Sequence, residues 1–379
     1  MAEPSEQQAG ARLTIDLNAL AANYRLLAER AGDAECAAVV KADAYGTGAE
    51  KAVPALHAAG ARSFFVALPH EARNVRELTA DSALYVLDGL LPGQAPAYAE
   101  IDARPVLSTA EEIAEWAGFC RAAGRRLPAA LHVDTGMNRL GMPLDRARAL
   151  AQETDGPFAD FELALVMSHF ISSEIPDDPL NARQIADFAA VTALFAGVPA
   201  SLANSSGIFL AQKPHFDLVR PGYALYGGNP LPGKPNPMAP VVRLEARILQ
   251  IREVKTGESV GYNAQWAADG PRRLATLALG YADGFPRPAG ATADRPGGNA
   301  VIAGRICPLV GRVSMDLSVA DVSGLEKAAV RRGDWACLLG PEIGVDALGE
   351  AGATIGYDIL TRLGRRFARA YVGVPAGTA

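Results

Sequence analysis

The sequence predicts an α/β fold: a (β/α)8 TIM-type barrel followed by a mostly antiparallel β domain. Three observations lead there. From Leu13 to about Gly228, short β-rich runs alternate with longer Ala-, Leu-, Glu- and Arg-rich stretches of helical period, the mark of repeated βα units. The β-rich runs number eight, which matches a barrel of roughly 250 residues. Near Asn229 the segment NPLPGKPNPMAP places five prolines in twelve residues, which neither a helix nor a central strand accepts.

In chain order, the barrel strands are expected at Ala37 to Val40, Ser63 to Ala67, Ala83 to Leu87 and Ala103 to Leu107. The second four follow at Pro128 to Val133, Phe161 to Met167, Ser201 to Ala203 and Leu218 to Arg220. No Gly-x-Gly-x-x-Gly turn follows any of them, which argues against an open doubly wound sheet. Beyond the proline-rich linker, VRLEARILQIREV, RLATLALGYA, NAVIAGRICPLVGRVSMDLSVADV and WACLLG are rich in β-branched residues and interrupted by glycine turns. The expected division is a barrel over 12–236 and a β-rich domain over 237–379, with residues 1–11 flexible or packed on it.

A chain of 379 residues with 49% apolar and 21% charged residues is long enough for two cores. Its net charge of −6 offers no basic excess for nucleic acid or an anionic membrane, so neither partner is expected. The amino-terminal MAEPSEQQAGAR has no apolar signal region, and no run approaches the ~18 apolar residues of a membrane span, so a cytoplasmic protein is expected. Cys36, Cys120, Cys307 and Cys337 are far apart and form no Cys-x-x-Cys pair, so they read as reduced structural thiols and no metal is expected.

In a barrel, catalytic groups stand at the carboxyl ends of the strands, and phosphate binds at the loops after strands seven and eight. Polar residues fall at those ends. Lys41 ends the first strand, Arg139 follows the fifth in HVDTGMNRLG, His169 the sixth, Ser205 the seventh in ANSSG, and Arg220 the eighth in RPGYALYGG. A lysine held after an apolar strand shifts toward its neutral amine or enters a covalent bond, which is what a Schiff-base lysine needs. Alone it also reads as the first solvated residue of a loop. Ser205 and the backbone N–H groups of Ser206, Gly222 and Tyr223 lie where the barrel collects phosphate, so together these residues suit pyridoxal 5′-phosphate. Taken singly, Arg220 reads equally as a surface ion pair or a cofactor contact, Arg139 as an exposed loop cation or a carboxylate clamp, and His169 as a core histidine or an orienting group.

The segments KADAYGTG, HVDTGMNRLG, ANSSG, RPGYALYGG, GYADGFPR and VGRVSMD, in this order and spacing, resemble the signature segments of alanine racemases across nearly the whole chain. The resemblance implies an isomerase that interconverts L-alanine and D-alanine with pyridoxal phosphate and supplies D-alanine for peptidoglycan. It implies that Lys41 carries the cofactor and serves as the base for D-alanine, and that Tyr281 is the base for L-alanine. It assigns Arg139 to the cofactor's phenolic oxygen and the substrate carboxylate, Arg220 to the pyridine nitrogen, and the backbone of Met315 to the substrate carboxylate. Tyr45, Ser205, Gly222, Tyr223 and Tyr357 would hold the phosphate, with His169 as an orienting group. It further implies a homodimer in which Tyr281 of one chain serves the site around Lys41 of the other.

Racemisation removes a proton from one face of Cα and returns one to the other, which two opposed bases do readily and one does not. A tyrosine titrates near pH 10 in water, so it needs nearby cations or donors to act as a base; His169 and Arg220 are the groups expected to help. An arginine does not hand its proton to the pyridine nitrogen, which leaves the ring a weaker electron sink.

Several residues depart from the family pattern. Asp43 and Thr47 replace an Asn and a His, His132 stands where a lysine, often carbamylated, is frequent, Tyr223 replaces Ile, and GYNAQW replaces Gly-Tyr-Gly-Ala-Thr. Two alternatives are a racemase for serine or a broader set of amino acids, since one methylene changes discrimination by about 1–3 kcal/mol, and a non-catalytic pyridoxal-phosphate protein, which would have no use for Tyr281.

Overall fold

All eight expected barrel strands form in the computed structural model, which describes residues 4–153 and 156–373. The first runs over 35–39, in two short pieces, and is followed by Ser63–Val66, Ala83–Val86, Arg104–Leu107, Pro128–Asp134, Glu162–Met167, Ala200–Ser201 and Leu218–Val219. All pair in parallel. The barrel closes where Asp217 and Arg220 N–H donate to Ala200 and Ala203 carbonyls, while Ala37 and Val39 N–H donate to Val219 and Pro221 carbonyls. Phe64, Phe65, Val66, Val86 and Val106 are fully buried, each worth about 1.5–3 kcal/mol of transfer free energy.

The helices follow their sequence signals. In Ala110–Ala123, Thr109 Oγ accepts from Glu112 N at 3.2 Å and Glu112 Oε2 accepts from Thr109 N at 3.0 Å, a reciprocal cap, and the helix ends on left-handed Gly124. The linker is held from below by Asn23, whose amide donates to the Leu225 and Ala239 carbonyls and whose oxygen accepts from Ala239 N.

The second sheet is built around the 13-residue strand Val242–Val254, which pairs antiparallel with Ala11–Asp16, Arg272–Leu277 and Trp335–Leu339. Strands Asn299–Ile302 and Arg305–Pro308 form a hairpin. Its two loop residues, Ala303 and Gly304, both have positive φ, as the tightest hairpin turns require.

The strand Ala11–Asp16, expected at the start of the barrel unit, instead lies in this second sheet, between Val242–Val254 and, in parallel, Ala368–Val372. Leu13 and Ile15 are fully buried there, which pays for the displacement in apolar area. Glu6 lies 3.2 Å from Arg12 and 3.8 Å from Arg247, so this part of the amino-terminal segment packs on the second sheet. Residues 1–3 and 374–379, included in the expected division, lie outside the described residues. The carboxyl-terminal region also holds two helices, Val345–Ala351 and Gly356–Thr361, the second of which returns to the barrel mouth. No helix among the described residues is long and apolar enough to cross a membrane.

Candidate active site

At the carboxyl ends of the barrel strands lies a cavity of about 600 Å³, within the 300–1,000 Å³ typical of small-molecule sites. Nine of the eleven residues singled out in the sequence line it: Lys41, Tyr45, Arg139, His169, Ser205, Arg220, Gly222, Tyr223 and Tyr357. Tyr281 and Met315 do not. Phe65, Asp88 and His132 line it as well.

Lys41 stands at an unusual backbone feature. The four residues after it, Ala42, Asp43, Ala44 and Tyr45, all have φ between 53° and 55°, one left-handed turn without a glycine. Such residues cost about 1–2 kcal/mol each, so the surroundings must hold them. Ala42 N donates to Glu71 Oε1 at 2.7 Å, while Glu71 Oε2 accepts from Ala67 and Leu68 N–H at the end of the next strand. Asp43 Oδ1 accepts from Ala49 N at 2.7 Å, and the buried Thr47 hydroxyl donates to the Ala44 carbonyl at 2.6 Å. Both departures from the family pattern are therefore absorbed locally, as braces of the turn that aims Lys41. Burial and the nearby Arg139 charge push the Lys41 ammonium below its ordinary value, against the opposing pull of Asp88 and Glu71.

Arg220 is buried and donates to Ser201 Oγ and to the Ser168 carbonyl, with its guanidinium carbon 5.9 Å from the centre of the Phe65 ring. Burial brings it down to about 9, so it remains charged at neutral pH. Burial, followed by the Arg220, Arg139, Lys41 and His132 charges, holds His169 down at about 3. Its imidazole is neutral, so of the two kinds of support expected for a tyrosine base, cation or donor, it suits the second, as a neutral N–H. Burial and the Arg220 and Arg139 charges, against Asp134, hold His132 at about 4, so it too is neutral.

The loops after strands seven and eight form the expected cradle with one change. Ser205 Oγ accepts from Gly222 N at 3.1 Å and Ala224 N at 3.2 Å, so the Gly222 N–H is already engaged within the protein. The Ser206 and Tyr223 N–H groups have no protein acceptor among the described residues. A Cβ on Gly222 would lie 2.3 Å from the Tyr45 hydroxyl, so only glycine lets that hydroxyl reach the cradle. A hydroxyl-lined cradle with unpaired N–H donors, a charged arginine deeper in and a lysine with a lowered pKa suits a phosphorylated carbonyl cofactor.

Tyr281 and Met315 are brought together elsewhere, on the second domain. Tyr281 N donates to the Ser314 carbonyl at 3.0 Å and Ala282 N to the Met315 carbonyl at 2.9 Å. A Cβ on Gly280 would lie 2.3 Å from the Met315 oxygen, so the glycine permits this approach. Arg366 braces both loops, 3.3 Å from the buried Asp283 and 2.9 Å from Asp316. Tyr281 is 41% exposed and Met315 54%, a tyrosine and a methionine presented outward. In the altered segment 261–266 two consecutive non-glycine residues are left-handed, Asn263 at φ 62°, which suits asparagine, and Ala264 at φ 49°.

Sequence reasoning passed over Glu71 and Asp88. Leu68-Pro69-His70-Glu71 carries the proline and third-position glutamate of a helix start, which could have indicated Glu71. Asp88 had no such signal.

The chain matches the family models described as alanine racemase, N-terminal domain, over residues 15–230 and alanine racemase, C-terminal domain, over 241–371. It is 58% identical over 363 residues to an alanine racemase of Methylobacterium sp. (strain 4-46), covering 96% of this chain and 98% of the relative. Two relatives from Agrobacterium fabrum, named biosynthetic and catabolic alanine racemase, are each 43% identical, covering 97% and 96% of this chain and 95% and 92% of their own lengths. The crystal structure of alanine racemase from Bartonella henselae with covalently bound pyridoxal phosphate superposes with a TM-score of 0.90 at 38% identity, covering 96% of this chain and all of that one. With the barrel, the cavity and both family models in agreement, the chain belongs to the alanine racemase family.

Proposed function

We propose that this protein interconverts L-alanine and D-alanine using pyridoxal 5′-phosphate in the barrel cavity, with Lys41 and Tyr281 as opposed bases and Tyr281 contributed by a second copy of the chain. The observation that carries the reading is the division of the expected residues: nine line one cavity, while Tyr281 and Met315 sit together on an exposed edge. A homodimer that docks this edge over a partner's cavity would complete two equivalent sites.

When bound, the cofactor draws electrons from the amino acid's Cα and so eases loss of its proton. The chain's own groups direct that loss. The Lys41 amine, favoured by its depressed pKa, would hold the cofactor through its carbonyl group and, when free, would take or return the proton on one face of Cα. The Tyr281 hydroxyl oxygen does the same on the opposite face. Arg139 and the Met315 backbone hold the substrate carboxylate, which keeps the Cα–H bond directed at the bases. Tyr45, Ser205, Tyr223 and Tyr357 would hold the phosphate, with Gly222 giving the Tyr45 hydroxyl room to reach it while its own N–H is engaged by Ser205. Arg220, which keeps its proton, would face the pyridine nitrogen as a donor and so would temper the electron withdrawal that the cofactor supplies.

The barrel and β units meet near residues 236 and 237, with Ala11–Asp16 contributed to the β unit. The physiological task is supply of D-alanine for peptidoglycan in the cytoplasm, and a deletion strain that requires added D-alanine would support it.

The test is the optical rotation of L-alanine with purified, cofactor-loaded protein. Because enantiomers have equal free energy, racemisation carries the signal to zero, and Lys41→Ala should abolish the decay. A constant signal with wild-type protein rejects alanine as the substrate and directs the search to serine and larger amino acids.

A further inference from the structure

Beside the cavity, four tyrosine rings stand in a row. Tyr226 stacks on Tyr45 with centroids 4.7 Å apart, Tyr45 meets Tyr357 at 6.3 Å, and Tyr357 lies on Tyr223 at 3.9 Å with the ring planes 11° apart. The last pair is the tightest, and it joins distant parts of the chain. Tyr223 opens the turn after the eighth barrel strand, and Tyr357 is on the short helix Gly356–Thr361 that returns from the second domain.

The surroundings are shaped to fit the Tyr223 ring. A Cβ on Gly356 would lie 1.6 Å from its hydroxyl oxygen, and one on Gly228 would lie 2.2 Å from the ring. At the far end, the hydroxyl donates to Asp346 Oδ1 at 2.8 Å, and Asp346 Oδ2 accepts from Asn229 N at 3.0 Å. Burial and Asp346 both favour the protonated hydroxyl, so the donor is retained. Among the described residues the Tyr357 hydroxyl has one hydrogen-bond partner, Glu174 at 3.2 Å. The position of its ring therefore depends on its two aromatic neighbours, and Tyr223 is the closer and more parallel.

We propose that the Tyr223 side chain is a positioning residue: by stacking on Tyr357 it pins that ring across the cavity mouth and slows loss of the cofactor. This adds a side-chain role to the backbone role given to Tyr223 above, and it rests on the reading that the cavity holds pyridoxal phosphate. Leucine or isoleucine at 223 keeps the backbone N–H but leaves one face of Tyr357 without its ring partner.

The experiment follows exchange of bound pyridoxal phosphate against an isotope-labelled pool in the loaded full-length protein. Tyr223→Ile should exchange roughly three- to ten-fold faster, the factor that such a stack is worth, whereas Tyr223→Phe, which keeps the stack and loses only the Asp346 bond, should stay near wild type. Tyr357→Leu removes the stack and also the phosphate contact given to Tyr357 above, without altering the barrel turn, and should accelerate exchange by at least the same factor. Adding Tyr223→Ile to Tyr357→Leu should produce no further acceleration. Wild-type exchange in Tyr223→Ile or Tyr357→Leu, Tyr223→Phe as fast as Tyr223→Ile, or additive effects in the double variant would each overturn the proposal while leaving the racemase reading intact. Wild-type protein that takes up no pyridoxal phosphate would overturn both.

Discussion

The barrel mouth and the edge that carries Tyr281 differ in construction. The mouth is concave, and cations and histidines converge in it until burial and mutual repulsion hold both imidazoles neutral. The Tyr281 edge is exposed, a tyrosine and a methionine held side by side by two backbone hydrogen bonds and the Arg366 brace. One region is a cavity lined by polar groups and the other an outward-facing pair of side chains. A reaction that needs proton acceptors on opposite faces of one carbon fits that division, since a single concave wall presents its groups from one side.

Four experiments would break or sharpen this contrast. The largest effect is expected from Lys41→Ala, with turnover falling by about 10³-fold or more as covalent capture and one base are lost together. Mixed after reversible dissociation with an equal amount of Tyr281→Phe, it should regain about a quarter of wild-type activity, because half of random dimers are mixed and each has one intact site. No recovery from a mixture shown to exchange subunits would mean that both bases come from one chain.

Tyr281→Phe alone should lower racemisation by about 10²–10⁴-fold with the cofactor retained. In deuterated water it should still exchange the Cα hydrogen of D-alanine through Lys41 while exchange on L-alanine is lost. Equal retention for both enantiomers, measured by NMR, would remove Tyr281 from the mechanism.

Gly222→Ala tests the concave side. Its Cβ would meet the Tyr45 hydroxyl, and overpacking of about 1–3 kcal/mol should weaken cofactor affinity by roughly 5- to 150-fold in a spectroscopic titration.

The smallest effect concerns pH. His132 and His169 sit at about 4 and about 3 in the folded chain against an ordinary 6.5. Below pH 6.5 the unfolded chain therefore binds protons that the folded chain refuses, so stability is full above that pH and declines toward pH 4. Replacing His169 with Gln should flatten the fall of melting temperature between pH 6.5 and 4, as scanning calorimetry would show. An unchanged slope would mean that the imidazole is already solvated.

Local signals marked much of this in advance. The barrel strands are short apolar runs between turn residues, and the polar residues at their ends were visible as interruptions of those runs. The strand Ala11–Asp16 was misplaced because alternating burial looks alike in any sheet, and its partners are more than 200 residues away. Thr47 and Asp43 stood out only as departures from the family pattern, and each makes a short-range hydrogen bond that steadies the left-handed turn. Tyr223 looked like a cradle residue only, because a stack with Tyr357 depends on a helix that crosses from the other domain.

By itself, the sequence determined which segments are the barrel strands and which residues could carry proton transfer and phosphate binding. Those properties follow from patterns within a few residues: apolar period, proline and glycine placement, and polar side chains at strand ends. Only the tertiary structure decided which sheet receives the amino-terminal strand, that nine candidate residues share one cavity while Tyr281 and Met315 face outward, and that two histidines are kept neutral. These depend on burial and on charges brought together from distant parts of the chain, and both arise only when the barrel closes and the carboxyl-terminal helix returns to its mouth.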